Sequence, residues 1–155
     1  MKCQTHTAER AAHLNCRAAG NPVSRLDAGF IALMGIQAAH SVEECVGRLY
    51  EVFPPARFVS GLLSQDLQRG FIIGNVALVT LGVWCFVWPI RRRWRSAVTI
   101  GWLWVAIELV NGVVHPLWSL RELSYTPGVA TAPLLLIAAL YLARQLRAGQ
   151  IQASA

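Results

Sequence analysis

GFIIGNVALVTLGVWCFVWPI, residues 70–90, holds no charged side chain over 21 positions. A helix of that length spans about 30 Å, the thickness of a bilayer's hydrocarbon core. Working outward, residues 97–118 (AVTIGWLWVAIELVNGVVHPLW) are as apolar, but Glu108, Asn111 and His115 interrupt them. Residues 128–143 (GVATAPLLLIAALYLA) form a shorter stretch, with Pro133 tolerable near its start. Residues 28–47 (AGFIALMGIQAAHSVEECVG) are the most polar of the four stretches. Composition agrees with the membrane reading. Of 155 residues, 55% are hydrophobic and only 14% charged, too few charges to cover a soluble domain of this size. The expected architecture is therefore all-α: a four-span transmembrane bundle over residues 28–143, with a polar N-terminal tail (1–27) and a short cytoplasmic tail (144–155).

Other classes fall away. Disorder does not fit so apolar a chain. The four cysteines stand at no staple-like or zinc-like spacing. There is no internal repeat and no nucleotide-binding glycine pattern. No apolar run precedes Ala28, so neither a cleavable signal peptide nor a lipoprotein signal at Cys3 is expected. Residues 1–27 read as a mobile or surface-lying tail.

The net charge of +6 then reads as membrane orientation, with no nucleic-acid partner expected. With the N-terminus inside, ten of the fourteen Lys and Arg fall on the cytoplasmic side, leaving Arg48, Arg57, Arg69 and Arg121 outside. The short RRRWR run at 91–95 decides the matter, because tight positive clusters stay cytoplasmic. Trp84, Trp88, Trp94, Trp102 and Trp104 flank it as an interfacial aromatic belt would. Both termini are expected in the cytoplasm of a multi-pass protein of the cell membrane.

The informative residues are ionisable ones inside apolar stretches, which cost about 2.5–3.5 kcal/mol each on insertion scales and mark function by default. His40, Glu43 and Glu44 stand at i, i+3 and i+4, on one helical face. Glu108, Asn111 and His115 stand at i, i+3 and i+7, again one narrow stripe. Counted along their helices, both sets lie at similar depth in the outer half of the bilayer, and Asn75 on the returning span comes down to the same level. The two polar faces are expected to meet.

HSVEE at 40–44, NGVVH at 111–115 and YTPG at 125–128 together resemble the HXXEE-domain family of small bacterial membrane proteins. The resemblance covers most of residues 28–143. It implies four spans and a site at His40, Glu43 and Glu44, and it names no reaction.

The chemistry must come from the residues. His40, Glu43, Glu44, Glu108 and His115 are the candidate metal ligands, with Asn111 and Asn75 as supporting polar groups. Helix bundles that hold two iron or manganese ions use inward Glu and Glu-x-x-His pairs; here the first pair is reversed and one carboxylate is missing. A mononuclear zinc site with an open water position fits equally well. Zn, Fe and Mn all remain open. The favoured reading is a metal-dependent membrane enzyme, a hydrolase or oxidoreductase, acting on a small or lipid-like substrate, with Glu43, Glu44, Glu108 and Tyr125 as candidate catalytic groups. A metal-free acid–base isomerase or hydrolase would use the same residues. A small-solute or proton carrier is the third reading, and a homo-oligomer would supply the extra spans that such a carrier needs.

Overall fold

The computed structural model describes residues 22–153. Six α-helices and no strand occur among them: α1 (Pro22–Val46), α2 (Leu49–Val52), α3 (Pro54–Leu63), α4 (Leu67–Cys85), α5 (Ala97–Glu122) and α6 (Ala132–Ala153). The fold is all-α, as expected. Residues 1–21, including Lys2, Cys3, Arg10 and Arg17, lie outside the described residues.

Local sequence sets the boundaries. Pro54 opens α3, where a missing N–H costs nothing. Asp66 caps α4, its carboxylate accepting from the Arg69 N–H at 3.1 Å. Pro89 cannot donate to the helix, and the chain answers by widening into a π-type turn over Phe86–Ile90. Its bonds are five residues long: Arg91 N–H to Phe86 O at 2.9 Å and Trp94 N–H to Pro89 O at 2.9 Å. Arg93, at φ 55°, then turns the chain toward α5.

The four long helices are α1, α4, α5 and α6. Helix α6 packs against both α5 and α1, and α4 packs on α1. Helix α1 buries Phe30, Leu33, Met34, Gln37, His40, Ser41 and Glu44, a helical stripe that is apolar first and polar afterwards. Helix α5 does the same with Trp104, Val105, Glu108 and His115. Phe30 meets the edge of Trp104 with ring centroids 6.2 Å apart. At this end Arg93 also pairs with Asp27 at 2.9 Å, while Glu44 and His115 meet at the other end. Helices α1 and α5 therefore run in the same direction.

The helices depart from the apolar pattern of the sequence in three places. Among the described residues two helical segments, not four, are long and apolar enough to cross a membrane: Leu67–Ile90 and Ala97–Glu122. Helices α1 and α6 have 25 and 22 residues, but Arg25, Asp27, Glu43 and Glu44 in one, and Arg144, Gln145 and Arg147 in the other, dilute their apolar runs. Helix α1 begins at Pro22 and α6 continues to Ala153, so both run past the apolar stretches at 28–47 and 128–143. Charged residues at a helix end break an apolar pattern without breaking the helix. Finally, the stretch between the first two expected spans is not a plain loop. It folds into α2 and α3, and α3 lies against the start of α4.

Candidate metal centre

His40 and Glu44 are one turn apart on the buried face of α1, and His115 projects from α5 toward them. His40 Nε2 lies 3.2 Å from Glu44 Oε1, and His115 Nε2 lies 3.0 Å from the same oxygen. The two imidazoles stand nearly perpendicular, centroids 4.7 Å apart. Exposure is 0% for His40, 8% for Glu44 and 5% for His115. One ligand atom from each of the three lies within 4.8 Å of the others, so this buried group could hold a metal ion.

The loop between α5 and α6 decides which ring nitrogens are free. His115 Nδ1 lies 2.8 Å from the Pro127 carbonyl. A carbonyl only accepts, so the ring proton of a neutral His115 sits on Nδ1. His40 Nδ1 lies 2.7 Å from Thr131 Oγ1. That hydroxyl gives its only proton to Glu43 Oε2 at 2.6 Å, so it accepts from His40. Both neutral rings therefore turn a bare Nε2 toward the Glu44 oxygen. His40 Nε2 is fully buried without a hydrogen-bond donor. Three acceptors face one another, an arrangement that needs a cation or added protons between them.

Gly128 makes this packing feasible. It has φ 94°, and a Cβ there would lie 2.6 Å from His115 Nδ1 and 2.9 Å from His40 Cε1. Glycine alone meets both demands.

The remaining expected residues are placed differently. Glu43 faces the loop, not the group. Its Oε1 accepts from Tyr125 Oη (2.6 Å), Gly128 N (3.0 Å) and Ala130 N (3.0 Å), and its Oε2 from Thr131 N (2.9 Å) and Thr131 Oγ1. With every lone pair engaged, Glu43 stands outside the ligand set. Tyr125 is 65% exposed and points at Glu43. That hydrogen bond pushes its hydroxyl above the ordinary phenol range, so it remains a protonated donor. Glu108 is 0% exposed but is also outside the ligand group. It is met by the Asn111 side chain and by Gln37. Gln37 is satisfied at both ends when its nitrogen donates to Glu108 Oε2 at 2.8 Å and its oxygen accepts from Ser41 Oγ at 3.3 Å. Asn75 turns back onto its own helix, donating to Phe71 O at 3.1 Å, and lines a groove between α1 and α4.

Sequence reasoning missed Gln37, Ser41 and Thr131, and met Pro127 and Gly128 only as part of the YTPG pattern. Gln37 and Ser41 had a signal, since they share the buried stripe of His40 and Glu44. Nothing local marked Thr131, whose importance comes from a contact 91 residues away.

No curated protein and no solved structure matches the chain. A family model described as a protein of unknown function with HXXEE motif does match, over residues 31–142. Those residues include His40 and His115, Glu43, Glu44 and Glu108, and the loop that orients the rings, and the chain belongs to the HXXEE family.

Proposed function

We propose that this chain is a membrane-embedded metalloenzyme, holding one divalent transition-metal ion between His40, Glu44 and His115 and acting on a small or lipid-like substrate. One observation carries the reading: two imidazole nitrogens without protons converge on one carboxylate oxygen inside the fold. Two nitrogens and one oxygen leave an open position, the donor set of catalytic rather than structural zinc. The same set suits non-haem iron(II), which would make the protein an oxidoreductase. Zinc and hydrolysis are the simpler fit. Charge favours a divalent ion, because Glu44 and Glu108 contribute two buried carboxylates met by imidazoles and amides.

A divalent ion at these ligands would act as a Lewis acid and make bound water a nucleophile near neutral pH. The chain's own residues do the rest. Pro127 and Thr131 orient the rings. Glu108, held by the Gln37 and Asn111 amides, is the remaining buried carboxylate beside these ligands.

Membrane embedding is supported by where the apolar side chains point. Only 22% and 33% of the two most apolar stretches are buried within the chain, unlike core helices of a soluble domain. Ile72, Ile73, Val76, Leu103, Val110, Leu117, Leu134 and Ile137 are exposed, facing lipid or a second copy. On this reading α1 and α6 also cross, completing four spans, with the RRRWR loop and both termini cytoplasmic.

The test is metal analysis of the full chain purified in detergent after metal-replete growth. About one equivalent is expected, lost in the His40→Ala/His115→Ala double variant. A stoichiometry near zero overturns the metal reading. The His–Glu contacts at 3.0 and 3.2 Å would then favour the second reading, acid–base chemistry with protons in place of the ion.

A further inference from the structure

The two adjacent carboxylates of the motif do different work. We propose that Glu43 is a positioning residue: through Thr131 it decides which nitrogen of His40 carries the proton, and so whether Nε2 is free to bind. This deepens the metal reading, but its test does not depend on a metal being bound.

Glu43 is engaged by five donors from one short loop, three of them backbone N–H groups. Such a nest of amides fixes a carboxylate and is fixed by it. The loop in turn supplies the acceptor for each ring, Pro127 O for His115 and Thr131 Oγ1 for His40. The two links differ in kind. A carbonyl has no proton to give, so the His115 tautomer is set by Pro127 whatever Glu43 does. A hydroxyl can donate or accept, and Thr131 accepts from His40 only because its own proton goes to Glu43.

Glu43→Gln shows what this implies. Three donors approach Oε1 and two approach Oε2. The amide NH₂ therefore clashes least on the Oε2 side. There it donates to Thr131 Oγ1, which releases the hydroxyl proton. The nearest acceptor is His40 Nδ1, and the ring proton moves to Nε2. No charge is introduced into the site and no ligand is removed. One of the two free nitrogens is nevertheless lost. Metal ligands commonly depend on partners of this kind, whose removal costs roughly 10–100-fold in affinity.

The experiment measures the ring ¹⁵N shifts of His40 in the metal-free full chain in detergent. Wild type should keep a proton on His40 Nδ1, whether or not Nε2 is protonated as well, and Glu43→Gln should leave Nδ1 bare with the proton on Nε2, His115 being unchanged in both. Thr131→Ser should retain the wild-type signature, and Thr131→Val should lose it, which keeps the test valid if Glu43→Gln folds poorly. Zn²⁺ titration should then show Glu43→Gln and Thr131→Val weakened roughly 10–100-fold and Thr131→Ser near wild type. A His40 Nδ1 without a proton in wild type, or a His40 spectrum unmoved by both Glu43→Gln and Thr131→Val, overturns the proposal. If the shifts move as expected while wild type binds no Zn²⁺, the positioning role stands and the metalloenzyme reading falls.

Discussion

One seam between α1 and α5 has two halves built on the same helical periodicity and filled with opposite chemistry. In the first half Phe30, Leu33, Trp104 and Val105 pack with Leu142 of α6. In the second, Gln37, His40, Ser41 and Glu44 face Glu108 and His115. Helix geometry brings both sets inward equally well. What differs is how each half is specified. The apolar half needs volume and shape, so its energy is spread over many contacts. The polar half needs each donor matched to an acceptor, and a change in one partner reaches the next through the hydrogen-bond chain.

That contrast predicts separable losses. The largest stability effect should come from Trp104→Ala, which empties the apolar half and should cost about 3–5 kcal/mol. Thermal unfolding in detergent would show it, with metal stoichiometry per folded molecule unchanged. If metal is lost with the indole, the halves are not independent. His115→Ala should cost about 3 kcal/mol, because Glu44 loses a buried partner and the Pro127 carbonyl its donor. It should also abolish metal binding outright, read by elemental analysis. Glu108→Gln should be milder for folding than His115→Ala, within about 1 kcal/mol of wild type. The Gln37 amide can turn over and accept from the new amide while its nitrogen meets Ser41. Activity should nevertheless fall if Glu108 holds a proton, so an active Glu108→Gln protein would remove it from the chemistry. The smallest effect belongs to Tyr125→Phe, which takes one donor of five from Glu43 at the exposed rim. It should cost about 0.5–1 kcal/mol and leave metal affinity within about twofold, in contrast to Thr131→Val.

How far the sequence speaks follows the same division. The helices over 70–90 and 97–118 were legible because no charge interrupts the first and a single polar stripe interrupts the second. The convergence of His40, Glu44 and His115 was legible from spacing and depth, since both are fixed by helix geometry. Glu43 was legible as important but not as a loop anchor. Its neighbour on the chain turns inward, and only the position of the loop around residues 125–131 separates the two. The early end expected for α6 came from reading Arg144 and Arg147 as a boundary. Helices α2 and α3 were missed because residues 48–66 show no long periodic run, although Pro54 is a regular helix opener.

Gly128 presses its bare α-carbon against both imidazoles, and a Cβ there would already collide with each ring. The two rings thus share a wall made of backbone. An exposed side chain changes rotamer in picoseconds to nanoseconds, whereas a loop moves in nanoseconds to microseconds and a lid more slowly still. Neither ring has space to swing while that wall stands. Exchange of whatever the two nitrogens hold is therefore tied to departure of the loop, and both donors come free in one event rather than by turns.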